Sequence, residues 1–296
     1  GGAAEAARGP RTWWQDAWRR FLAQKVPVAA GVVLLILVLV AIAAPLIAPY
    51  DPIEQFRREG LSPLGQPLPP NDRFWLGTDG LGRDLLSRLI YGARISLGIG
   101  LTASALAVLI GLLVGGVAGF AGGRMDFWVM RLIDTVTSLP SFFVMLLLVV
   151  MLKPGAWVVI VVITLFSWTL PARIFRSQVL TVRHQEFIVA AQAGGVARSR
   201  IFFRHVVPHV LPLVIVYLAL GIPNTIFAEA SLSFIGLGVP PPAPSWGGMI
   251  QDGMAYYRAA PWTAIFPGLA LMITVVCLNL VGAGLRDAMD PARKGR

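Results

Sequence analysis

The stretch Glu186–Pro212 reads EFIVAAQAGGVARSRIFFRHVVPHVLP and is the main polar island between long apolar runs. Arg173, Arg176, Arg183, Arg198, Arg200 and Arg204 lie in it or just before it. Glu186, the Ala190-Ala191 pair, Gly194-Gly195, Pro208 and Pro212 divide it into short helical pieces. A segment this charged belongs in water, held against another surface.

The composition explains why the island stands out. The chain has 296 residues, 56% of them hydrophobic and 14% charged, with a mean hydropathy of +0.71. An average soluble domain is about 25% charged, so this is the make-up of a multi-spanning, all-α integral membrane protein. The formal charge of +10 is carried mainly by arginine, Lys25, Lys153 and Lys294 being the lysines. In a membrane protein that bias marks the cytoplasmic face. No basic run is interleaved with aromatics as single-strand binding needs, so no nucleic-acid partner is expected. Cys277 is the single cysteine, which excludes an intrachain disulfide, and its apolar surroundings make it a packing residue.

Six spans follow from the apolar runs. An amino-terminal arm, residues 1–26, ends in RTWWQDAWRRFLAQK, where Trp14, Trp18, Phe21 and Leu22 share a helical face. That face fits an interfacial helix on an anionic leaflet, or the aromatic and basic flank of the next span. The first span covers 27–48 and is long enough for a hydrocarbon core of about 30 Å. It is too long for a signal-peptide core, and no small-residue cleavage pattern follows it. Residues 49–92 are polar and proline-rich, and Leu81, Leu85, Leu86, Leu89 and Ile90 against Arg83, Asp84 and Arg88 predict an amphipathic helix on the outer surface. A five-helix core spans 93–285, with a cytoplasmic loop at about 172–209 and a basic tail at 286–296.

Within that core the second span, about Ser96–Ala121, carries Gly111, Gly115 and Gly119 at four-residue spacing, which lets another helix approach closely in lipid. The third span, Asp126–Leu152, holds Arg131 and Asp134 three apart, expected to form an ion pair. Lys153-Pro154-Gly155 is an outer turn before a fourth span at Trp157–Pro171. The fifth span, Val210–Gly238, contains Pro223, Asn224, Glu229, Ser231 and Ser233, and the sixth is Trp262–Gly284. Most Lys and Arg fall on the arm, the Gly122 turn, the Glu186 loop and the tail, so both termini are expected in the cytoplasm.

With that orientation, the Glu186 loop resembles the coupling loop of permease subunits of ABC importers. The family pattern there is Glu-Ala-Ala, three residues, Gly, nine residues, Ile, one residue, Leu-Pro. Val189, Ala190 and Ala191 occupy the triplet, Gly195 follows at the right distance, His205 stands at the isoleucine, and Val207-Pro208 closes the pattern. Val189 replaces the glutamate, while Glu186 lies three residues earlier on the same helical face. LGTDGLGRDLLSRLIYGARISL, ASLSFIGLGVPPPAPSWGGMI and FPGLALMITVVCLNLVGAGLRDAMDP look like the C-type permease of dipeptide, oligopeptide and nickel importers. Together these strings extend the resemblance over about residues 27–292.

The resemblance implies a type I importer permease in a bacterial or archaeal cytoplasmic membrane. It also implies a paralogous permease as the other half of the channel, two ATP-binding subunits below and a substrate-binding protein outside. Glu186, Val189, Ala190, Ala191, Gly194, Gly195 and Pro208 would form the coupling contact. The cargo would be di- or oligopeptides, or nickel or another small solute.

The residues add their own limits. A P-loop needs lysine followed by Ser or Thr, but Lys25, Lys153 and Lys294 precede Val, Pro and Gly. ATP and Mg²⁺ are therefore expected on partner subunits, and this chain is expected to bind no cofactor of its own. Burying an ionisable group in a membrane costs at least ~2.5 kcal/mol unless it is paired or wetted. Glu229, with Asn224, Ser231 and Ser233, is thus either a wall or gate of the path or a structural hydrogen-bonding group. His205 and His209 are four apart, but Pro208 between them and the absence of a third ligand speak against a metal site. An ion-coupled secondary transporter is the rival class, with Glu229 as its one strong coupling candidate.

Overall fold

Caps, glycines and prolines decide where these helices start, bend and stop. The computed structural model describes residues 13–153 and 155–289. Arg11 of the arm, Pro154 of the outer turn and tail residues 290–296 lie outside the described residues. The helices are α1 (Trp13–Leu22), α2 (Lys25–Ile42), α3 (Ala44–Ile47), α4 (Leu85–Ala121), α5 (Gly123–Ser138), α6 (Ser141–Leu152) and α7 (Ala156–Ser167). They continue with α8 (Thr169–Val182), α9 (Glu186–Ala193), α10 (Arg198–Ile201), a π turn over Phe202–Val206, α11 (Val207–Phe234), α12 (Trp246–Met254) and α13 (Trp262–Met289). α2, α4, the continuous run Arg198–Phe234 and α13 are each long and apolar enough to cross a membrane. The pairs α5–α6 and α7–α8 qualify only as bent units, with breaks of 84° and 42°.

The long helix α4 is the centre of the fold, packing on α8, α11 and α7. Asp84 caps it, accepting the Ser87 N–H at 2.7 Å and the Ser87 hydroxyl at 2.6 Å. Leu85–Ile90 is thus the opening of a 37-residue helix and not a separate segment on the outer surface. The boundary expected at residue 92 falls inside it. Arg83, Asp84 and Arg88 are buried, which pairing makes tolerable. Arg83 Nε donates to Asp79 at 2.6 Å, Arg88 Nε lies 3.1 Å from the same carboxylate, and Arg88 Nη1 donates to the Pro52 carbonyl at 3.1 Å. This knot ties residues 50–84 to the end of the bundle. Arg83 also reaches Asp252 of α12 at 3.8 Å. Burial pushes the Asp252 carboxyl up while Arg88 and Arg83 hold it down.

Down α4, Gly111, Gly115 and Gly119 face the backbone of α8. A Cβ on Gly111 would lie 2.7 Å from Pro171 Cβ, one on Gly119 2.9 Å from the Arg176 carbonyl, and one on Gly115 inside the Ala172 carbonyl. Only glycine permits that approach. Gly122, with φ +69°, ends α4 and turns the chain into α5.

Prolines act according to position. Leu139 is extended (φ −81°, ψ 140°), as a residue before proline prefers, so the run expected as one span at Asp126–Leu152 is broken by 84° at Pro140. Pro171, by contrast, sits in the first turn of α8, where its missing N–H has no intrahelical partner to lose. α8 therefore runs on to Val182, and the loop begins at Arg183, not at residue 172. α13 likewise continues to Met289, past the boundary expected at 286.

The expected Arg131–Asp134 pair does not form. Asp134 takes Arg173 of α8 at 2.7 Å, an interhelical partner, while Arg131 lies over the Phe127 ring at 5.9 Å. Arg176 donates through Nε and Nη2 to the two carboxylate oxygens of Asp126, a second clamp between α8 and α5. In α1, Phe21 stacks on Trp18 at 5.8 Å, on the face they were expected to share; Ala17 and Phe21 are buried while Trp14, Trp18 and Leu22 are exposed.

Candidate functional site

At the Arg183 end of α8 the chain leaves the bundle and returns through α9 and α10. Arg183 Nη1 donates to the Gly119 carbonyl at 3.0 Å, which fixes the exit point against the end of α4. Glu186 opens α9, where a carboxylate favours the positive helix end. Ile188 is fully buried in a cluster with Phe175, Val179, Val182, Ile201 and Phe202, and Ala191 and Val196 pack on it. Phe187 stacks on the His209 ring at 5.0 Å. Glu186, Val189 and Ala190 face outward, Val189 being 53% exposed. Of the alanine pair, Ala190 is presented while Ala191 is turned partly inward.

The C-terminal turn of α9 is a Schellman motif. Val196 N–H donates to the Ala191 carbonyl at 3.2 Å and Gly195 N–H to the Gln192 carbonyl at 3.1 Å. Gly195 has φ +76°, and a Cβ there would meet nothing within 4 Å. Backbone conformation, not crowding, therefore demands glycine. Gly194, the helix cap, donates to the Ala190 carbonyl at 2.9 Å.

Pro208 was expected to break the helix between His205 and His209, and it does not. The π turn at Phe202–Val206 precedes it, with Val207 N–H reaching the Phe202 carbonyl, and Pro208 falls in the first turn of α11. A π turn shifts the hydrogen-bond register, so the missing N–H is absorbed without a break. His209 Nδ1 lies 2.8 Å from the His205 carbonyl. Among the described residues no group of three His, Cys, Asp or Glu side chains is placed to hold a metal.

The result is a small helix seated on an apolar cluster through Ile188, with its outer face open. Around it Arg198, Arg200, Phe203 and Arg204 are exposed, and among the described residues none of these arginines has an ion-pair partner. A surface of this kind suits a partner with an apolar cleft and acidic rim.

The intramembrane candidates separate into two groups. Glu229 is fully buried: Ser96 of α4 donates to it at 3.0 Å and Ser233 at 2.6 Å. Trp246 N–H, at the start of α12, donates to the Ser96 hydroxyl at 3.2 Å, and the Ser245 and Ser233 hydroxyls are 3.2 Å apart. Glu229 and Ser233 thus join three helices, and their atoms are turned toward protein. Asn224 is exposed, and Ser231 donates back to the Phe227 carbonyl at 2.8 Å. Sequence reasoning missed Ser96, Asp79 and Asp252, although Asp79 and Arg83 stand at i,i+4.

Comparison with known proteins decides what kind of molecule this is. The family model described as "Binding-protein-dependent transport system inner membrane component" matches residues 107–295, which include the whole Glu186–Pro208 loop. The chain belongs to that family. A second model, the N-terminal TM domain of oligopeptide transport permease C, matches residues 12–70. This member is 40% identical over 291 residues to the oligopeptide transport system permease protein OppC of Bacillus subtilis (strain 168), covering 98% of this chain and 93% of the relative. It is 39% identical over 290 residues to the dipeptide transport system permease protein DppC of the same organism, covering 97% and 89%. It is 38% identical over 284 residues to the glutathione transport system permease protein GsiD of Pectobacterium atrosepticum, covering 96% and 93%.

Proposed function

We propose that this chain is one permease half of an ATP-driven importer of di- or oligopeptides, in a bacterial or archaeal cytoplasmic membrane. Relatives named as peptide permeases over nearly the full length support the cargo. The observation that carries the mechanism is the seating of α9, whose Ile188 root and Schellman turn make it a rigid lever with Glu186, Val189 and Ala190 outward. In this reading each bent pair counts as one span, six in all, and both termini are cytoplasmic; the basic character of the arm, loop and tail supports that orientation.

A paralogous permease completes the channel, two separate subunits hold ATP and Mg²⁺, and an external binding protein delivers the peptide. Nucleotide shifts the inward–outward equilibrium only through a difference in contact between the two states. α9 is the surface through which that difference reaches the helices. Its push passes along α8 to α5 by way of Arg176–Asp126 and Arg173–Asp134, and along the π turn into α11.

Cysteine at Ala190, with Cys277 replaced by serine, tests the docking. In the assembled complex a short bifunctional thiol reagent should join it to a cysteine in the ATP-binding subunit's cleft, with a yield that changes on adding ATP. A chain that never cross-links to such a subunit contradicts the assignment.

A further inference from the structure

Midway along α4 and α11, against the elbow between α7 and α8, lies a cleft of about 240 Å³. Its lining carries hydroxyl, phenol and carboxamide groups on apolar walls and no charged residue. Two of the hydroxyls are already used: Ser104 donates to the Leu218 carbonyl at 3.3 Å and Thr225 to the Gly100 carbonyl at 2.7 Å. Two further polar groups are not, and a third is used only in part. Ser167 and Tyr217 have no hydrogen-bond partner among the described residues, and Asn224 spends one amide N–H on the Leu220 carbonyl at 3.2 Å, leaving its oxygen open.

Polar groups at membrane depth need protein partners or a wet cavity, and broken helices are tolerated where they line one. The 42° break after Ser167 falls against this cleft, so both conditions meet at one place. With no carboxylate or imidazole in the lining, the chemistry does not suit a metal cation. It suits an amide: the Asn224 oxygen accepts from an N–H, the Tyr217 phenol donates to a carbonyl, and Ser167 does either. Neutral contacts of about 1 kcal/mol each hold a solute weakly enough to release it, as a conducting path requires. The volume falls below the ~300–1,000 Å³ of a complete small-molecule site.

We propose that this cleft is a half-site for the peptide main chain, in which Ser167, Tyr217 and Asn224 hydrogen-bond backbone amides while the facing permease supplies the other half. The proposal rests on the peptide-importer reading. It implies that passage is indifferent to the charge of the peptide's side chains.

The test is uptake of radiolabelled trialanine by the complete complex in proteoliposomes, measured per assembled complex. Ser167→Ala, Tyr217→Phe and Asn224→Leu should each lower kcat/KM roughly 2- to 10-fold, the loss of one neutral hydrogen bond. Unchanged uptake in all three overturns the half-site while leaving the importer intact. Wild-type complex that moves no trialanine on ATP overturns the importer reading, and the half-site falls with it. Labelling guards against folding defects: in a Cys277→Ser background, Asn224→Cys in the assembled complex should react with a membrane-impermeant thiol reagent. An unreactive cysteine there overturns the proposal.

Discussion

Gly195 offers a clean perturbation of the α9 lever. Its φ of +76° lies in the left-handed region, and a Cβ there has nothing within 4 Å, so alanine adds strain without a clash. Placing an L-residue in that region costs roughly 1–2 kcal/mol, and 1.4 kcal/mol is a tenfold change in an equilibrium. The strain bears on the two bonds of the turn, Val196 N–H to Ala191 and Gly195 N–H to Gln192. Gly195→Ala should therefore speed hydrogen exchange at residues 195 and 196 about 5- to 30-fold and leave α4 and α8 protected. Under the coupling role proposed for α9, uptake per ATP hydrolysed should also fall. Gly195→Asn should lie close to wild type, since asparagine tolerates the left-handed region. If Gly195→Ala left exchange and coupling untouched, or if asparagine were as damaging as alanine, the lever argument would be wrong.

Other consequences can be checked in the same preparation. Ala191→Arg, which forces a charge against the Ile188 cluster, should abolish uptake while the protein remains in the membrane, as immunoblot and transport assays would show. Gly115→Val should prevent stable assembly, because the side chain would enter the Ala172 carbonyl; full yield and normal melting would refute the helix contact. Glu229→Ala should lower the melting temperature by removing the group that Ser96 and Ser233 share, whereas Glu229→Gln should retain most of the stability. Normal stability of Glu229→Ala with altered transport would move Glu229 from the helix junction to the path. Asp84→Ala should cost about 1 kcal/mol through loss of the α4 cap, read by thermal unfolding in detergent.

Much of the helical fold could be read from local pattern. The apolar runs set the long helices, and the four-residue spacing of Gly111, Gly115 and Gly119 identified the face that meets α8. The short helices around Gly194-Gly195 were also legible, because glycine pairs and an acid at a helix start act locally. What escaped was set by distant partners. Arg88 reads as a surface residue because the Pro52 carbonyl that receives it is 36 residues away, whereas Arg83 does have a local partner, Asp79 at i,i+4. Asp134 was given to its neighbour Arg131, although the partner, Arg173, is 39 residues away. Proline was ambiguous for a similar reason: Pro140 breaks a span, Pro171 and Pro208 sit in first turns, and Pro223 and Pro267 are carried inside helices. Composition gives the residue type but not its place in the turn.

The central claim is that nucleotide energy reaches this chain from outside it, through α9. The most direct measurement is purification of the chain from its native membrane in mild detergent, with identification of whatever accompanies it and transport assayed after reconstitution. The account predicts a second permease and ATP-binding subunits in the same complex, and peptide uptake that requires ATP. A chain that purifies alone and moves solute on an ion gradient without nucleotide would contradict it.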